Sequence, residues 1–100
     1  MTRTVDWAES ALSDLLDQIT FIAADDPNAA DRVAQAIRAT GAALGDFATG
    51  HPGRVSGTYE KSLRGLPYMI AYAIGSDGKK IQILRVIHTA RDWPVGGWPQ

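Results

Sequence analysis

Cysteine is missing from this 100-residue chain, which excludes a disulfide scaffold and any thiolate metal or redox chemistry. Histidine is scarce: His51 and His88 are the two present, too few without cysteine for a structural zinc site. Long apolar runs are missing as well. The longest, Leu66 to Gly75, is about ten residues and contains Pro67, half of what a membrane span needs. Neither sign of charge dominates, with ten Lys and Arg against eleven Asp and Glu and a formal net of −1. There is no phosphate-cradling glycine loop, no histidine pair at ligand spacing and no nucleophile elbow. Neither a metal nor a cofactor is therefore expected. The start of the chain lacks a basic-then-apolar leader, so the expected location is cytoplasmic.

What is present supports a folded domain. Hydrophobic residues make up 45% of the chain and charged ones 21%, which is not the composition of a disordered segment. A chain of this length buries roughly 65% of its unfolded surface, enough for one modest core. Residues 1–94 read as a single domain and 95–100 as a tail.

The small net charge hides an uneven distribution. Residues 1–50 hold eight acids against three bases, a net of −5, and residues 51–100 hold three acids against seven bases, a net of +4. An anionic partner would dock on the basic side; the plainer alternative is ordinary solvated surface.

Periodicity changes once, near His51-Pro52-Gly53. Before it, Ala8, Ala11, Leu12, Leu15, Leu16, Ile19, Ile22 and Ala23 form the stripe of one buried helix face. Glu9, Asp14 and Asp17 fall on the wet face opposite. Asp25-Asp26-Pro27 ends that helix and begins another, with Asp26 as cap and Pro27 in the first turn. The second stripe is Ala30, Val33, Ile37, Gly41, Leu44 and Phe47 or Ala48. Gly41 suggests close approach to the first helix near Ala11 and Ala23.

After Gly53 the pattern is strand-like. Val55 to Arg64 mixes polar and apolar residues. Pro67 to Ile74 is apolar on both parities and reads as a central strand. Ser76-Asp77-Gly78 is a hairpin signal, and Lys80 to His88 is the next strand. Arg3 to Trp7 adds an edge strand at the start. The expected class is α+β: a helical hairpin on one face of a small antiparallel sheet, in the order β-α-α-β-β-β.

Arg85-Val-Ile-His88-Thr-Ala-Arg91 is the informative constellation. Strict alternation puts Leu84, Val86 and His88 on one face and Ile83, Arg85 and Ile87 on the other. A cation in so apolar a strand needs an acid, water or a partner. In one reading Glu60 supplies the acid, and Glu60 and Arg85 form a structural pair with His88 as a hydrogen-bonded strand end. In the other, Arg54, Arg64, Arg85, Arg91 and His88 line a basic concavity on the face away from the helices. Guanidinium groups suit phosphate, and histidine moves protons near neutral pH. Such a set would serve RNA cleavage by its own 2′-hydroxyl. Tyr68 and Tyr72 read as core residues rather than base-stacking ones. Trp93 and Trp98 either fold back onto the domain or mark a partner site, since aromatic anchors dominate interfaces.

The ordered series resembles the RelE/ParE superfamily of bacterial type II toxins, nearest its ParE-like branch. The matching residues begin at Val5-Asp-Trp7 and run through Ala11, Asp14-Leu15, Ile19, Phe21-Ile22-Ala23 and Asp26-Pro27. They continue through Ala29-Ala30, Val33, Ile37, His51-Pro-Gly-Arg54, Gly57-Thr-Tyr-Glu60 and Pro67-Tyr68. Ile70, Tyr72, Ile81, Ile83 to His88 and Arg91-Asp92-Trp93-Pro94 complete them, so the likeness covers about residues 5–94. It implies the toxin of a toxin–antitoxin pair, neutralised by a cognate antitoxin. ParE-like members poison DNA gyrase by protein contact, which would make this chain no enzyme. Arg54, Arg64, Arg85, His88, Arg91 and Trp93 would then be partner-binding. RelE-like members cut mRNA on the ribosome, which would make His88, Arg64, Arg85 and Arg91 catalytic. The low net charge speaks against direct nucleic-acid binding. A third reading is a degenerate member that binds its antitoxin and little else.

Overall fold

The computed structural model describes residues 2–89. Chain order is β1 (Thr4–Trp7), α1 (Glu9–Ala23), α2 (Pro27–Ala43), β2 (His51–Pro52), β3 (Tyr59–Ser62), β4 (Tyr68–Ile74) and β5 (Lys80–His88). The strands form one sheet in the order β1-β5-β4-β3-β2, with the helical hairpin packed on it. The expected α+β class and hairpin are thus present. The sheet is mixed rather than purely antiparallel: β2 to β5 pair antiparallel, but β1 joins β5 in parallel, Val5 opposite Ile81. These two strands stand at opposite ends of the chain, so no tight turn forces them antiparallel.

The second helix begins where Asp26 and Pro27 predict. The Ala29 N–H donates to Asp26 Oδ1 at 3.1 Å, satisfying a donor that the first turn would leave open. Its stripe is buried as expected at Ala30, Val33, Ile37 and Gly41. The predicted close approach at Gly41 is real, but its partner is not the first helix. A Cβ there would lie 2.6 Å from Trp7 Cζ2 and 2.8 Å from Ile83 Cδ1. Gly41 therefore lets α2 settle onto the sheet.

The first helix departs from its stripe. Ala11 is fully buried, but Leu12 and Leu16 are 49% and 65% exposed. Its apolar arc is wider than the surface that α2 and the sheet cover. Phe47 is 74% exposed and lies past the end of α2, outside the stripe assigned to it.

Core residues line one face of the sheet. Tyr68, Ile70 and Tyr72 of β4 cluster with Ile81, Ile83 and Val86 of β5 and with Ala11, Ile37 and Leu44 of the helices. Ile83 and Val86 can share this face because the ladder slips. Ala71 stands opposite Arg85 but Tyr72 stands opposite Ile83, leaving Leu84 as an extra residue. Such a bulge reverses the parity, which corrects the strict alternation that grouped Ile83 with Arg85 and Ile87.

Candidate functional site

Strand β1 pairs with β5 only as far as Trp7 opposite Ile83, while β5 continues to His88. The last residues of β5 would therefore present an open edge. Helix α1 closes it with side chains. Ser10 Oγ donates to the Leu84 carbonyl at 2.6 Å, and the Val86 N–H donates to Asp14 Oδ2 at 3.0 Å. Ser10 and Asp14 are four residues apart, so they stand one above the other on the helix. Asp14 thus turns to the sheet edge and not to the wet face that periodicity assigned it.

Arg85 joins the same carboxylate. Its Nε donates to Asp14 Oδ2 at 2.6 Å and its Nη2 to Oδ1 at 3.0 Å. This bidentate ion pair, with both side chains less than one-fifth exposed, replaces the expected Arg85–Glu60 pair. Glu60 stands opposite Ala71, which stands opposite Arg85. The two therefore lie two strands apart, roughly 10 Å. Glu60 is 4% exposed and turns the other way, where its Oε2 accepts the Arg54 backbone N–H at 2.9 Å.

The other candidates occupy separate places. Arg54 lies in the exposed connection from β2 to β3, and Arg64 is exposed just past β3. His88 sits opposite Tyr68, their rings edge to face with centroids 5.1 Å apart. Arg85 is thus held by Asp14 and His88 packs on Tyr68, while Arg54 and Arg64 lie in the connections on either side of β3. Arg91, Trp93 and Trp98 lie outside the described residues. Tyr68 and Tyr72 are core residues, 4% and 0% exposed. Tyr72 stacks on Tyr59 at 5.5 Å and accepts the Gly50 N–H at 3.0 Å. Burial pushes its hydroxyl above the ordinary 10.0, against the lowering effect of the Gly50 hydrogen bond.

Sequence reasoning missed a groove of about 610 Å³ between the end of α2 and β3. Leu44, Phe47 and Leu63 give it an apolar floor and wall, with Lys61, Ser62 and Arg64 along the strand side. The sequence signal was Phe47, whose place at the end of the second stripe left its burial open.

Residues 5–93 match the family model described as the ParE toxin of the type II toxin–antitoxin system parDE. The chain belongs to the ParE toxin family. Among sequence relatives of this ParE-family chain is the Sinorhizobium fredii protein Y4kP, whose name assigns it provisionally to the toxins. The two are 38% identical over 93 residues, covering 92% of this chain and 94% of the relative. Among solved structures, the chromosomal ParDE toxin–antitoxin system of P. aeruginosa superposes with a TM-score of 0.78 at 25% identity. That match covers 87% of this chain and 96% of the other. The toxin–antitoxin complex RelBE2 of Mycobacterium tuberculosis gives a TM-score of 0.62 at 25% identity, covering 88% and 99%. The RelE/ParE resemblance read from the ordered motifs is therefore correct. Among the described residues, no helix is long and apolar enough to cross a membrane.

Proposed function

We propose that this ParE-family toxin is neutralised by a cognate antitoxin and acts on DNA gyrase by protein contact, without chemistry of its own. The ParE family match across residues 5–93 supports this branch over the nuclease branch. The antitoxin partner is supported by the toxin–antitoxin complexes that the fold resembles. The observation that carries the non-catalytic reading is the Arg85–Asp14 ion pair. A guanidinium already held by a carboxylate on two nitrogens is poorly placed to stabilise a phosphate in a transition state. The edge-on packing of His88 against Tyr68 supports the same reading.

The test is tightly controlled expression in a bacterial host. Growth arrest with altered plasmid supercoiling and broken DNA is the expected outcome. Cuts in mRNA phased with the ribosome would overturn the gyrase reading in favour of an endoribonuclease. Unimpaired growth would favour a degenerate, antitoxin-binding module.

A further inference from the structure

Helix α1 turns a second apolar stripe away from the core. Ala11 and Gln18 are its buried side, whereas Leu12 and Leu16 stay 49% and 65% exposed. Ile19, partly buried, follows seven residues after Leu12. Leu12, Leu16 and Ile19 therefore form one line along the helix, at the spacing of a helix-packing seam. A single exposed leucine is common; two on adjacent turns beside a third apolar residue make a patch. The charge beside this patch has one sign. Glu9 and Asp17 are exposed on the same helix, which holds no base, and neither is in an ion pair with a described residue. The whole hairpin from Glu9 to Ala43 contains six acids and two bases, Arg32 and Arg38, a net of −4.

That sign selects the occupant. A helix that lies on a membrane carries bases to meet anionic lipid, and α1 offers acids. A second copy docked through the same face would set Glu9 and Asp17 against its own acids. A nucleic acid would be repelled. A basic protein surface satisfies both the leucines and the carboxylates.

From these we infer that the outer face of α1 docks a basic amphipathic helix of a partner protein. The apolar side chains of that helix pack on Leu12, Leu16 and Ile19, and its lysines or arginines meet Glu9 and Asp17. The leucines supply the binding area, and the carboxylates set the choice of partner and the speed of encounter. The partner's identity rests on the toxin reading above, in which the helix belongs to gyrase.

The probe is an acetylated, amidated peptide of about eighteen residues, five helical turns, with leucine at the seam positions and lysine or alanine elsewhere. Its control carries glutamate for lysine. Titrated calorimetrically into the full chain, the lysine peptide should bind saturably and the glutamate peptide at least about ten-fold more weakly. Leu12→Ser with Leu16→Ser removes the exposed apolar surface and should weaken the lysine peptide about ten-fold or more. Glu9→Lys with Asp17→Lys, at two exposed positions, should weaken the lysine peptide and strengthen the glutamate peptide. A thermal melt establishes that each variant is folded, and the charge reversal decides the matter if the serine chain is not. No binding of the lysine peptide near millimolar concentration, or indifference to the charge reversal, would each overturn the proposal. So would binding of the parent chain to anionic vesicles, or a dimer of the parent that the serine changes abolish. With purified gyrase, the folded serine chain should need about ten-fold more protein than the parent for equal inhibition of supercoiling; equal potency would take gyrase away from this face. Failure of the parent to inhibit counts against the toxin reading, while the titration alone decides the face.

Discussion

Asp14 stands in for a missing strand beside Val86. Its Oδ2 accepts the Val86 N–H at 3.0 Å, a bond that β1 would supply if it ran further. The same carboxylate holds the Arg85 guanidinium. One side chain therefore closes a sheet edge, fixes the helical hairpin over it and neutralises a cation.

Removing that carboxylate should be among the more damaging single changes. Asp14→Ala takes the carboxylate away from a partly buried guanidinium and removes the acceptor of the Val86 N–H. The expected loss is about 2–3 kcal/mol, below the figure for a fully buried pair because both groups keep some water contact. Arg85→Ala should cost less, because Asp14 keeps the Val86 N–H. Urea denaturation of both variants checks the order; equal losses would contradict the strand-substitute role.

Tyr72→Phe tests the bond to Gly50. Losing the hydroxyl acceptor should cost about 1 kcal/mol near neutral pH. The variant should also be less sensitive to alkali. Burial holds the folded hydroxyl above 10.0, so the unfolded chain loses this proton first, and stability falls as pH rises past 10.0 toward the folded value. Denaturation midpoints measured on both sides of that pH should fall more steeply for the parent than for the variant.

Gly41→Ala weighs two opposed effects. Alanine improves helix propensity by about 1 kcal/mol. Its Cβ would meet the Trp7 ring at 2.6 Å and the Ile83 methyl at 2.8 Å, and such overpacking costs about 1–3 kcal/mol. Crowding between an indole and a core isoleucine should win, giving a lower melting temperature. A higher one would mean that Trp7 moves aside freely.

His88→Ala separates the two mechanisms when stability and toxicity are measured together. If the protein acts by contact on gyrase, toxicity should fall only as far as the loss of the Tyr68 packing lowers the folded population. A drop of roughly 10²–10⁴-fold with the melting temperature preserved would mark His88 as a proton-transfer group.

Much of the scaffold could be read locally. The break between the helices follows from Asp26 and Pro27, because one side chain can cap and the other cannot extend the preceding helix. The turn between β4 and β5 follows from Gly78, whose φ of +71° suits a residue without a Cβ. Strand β5 has the predicted limits, since its apolar run is bounded by turn residues. Other features had no local signature. Strand β2 has two residues, one a proline, and exists only because β3 lies beside it. The bulge at Leu84 is a property of two strands, and it undid a face assignment made from one.

The amino-acid order alone determined two amphipathic helices, a following strand-rich half and the family motifs, because each depends on neighbours a few residues apart. Which acid meets Arg85 was decided by the tertiary structure. Asp14 and Glu60 are equally good carboxylates on paper, but Ala71 and its strand separate Glu60 from the guanidinium, whereas α1 delivers Asp14 to the edge where β1 ends. The groove beside β3 arose the same way, from the point at which a two-residue strand stops pairing. Electrostatic attraction and hydrogen bonding act over a few ångströms, and only the folded chain sets those separations.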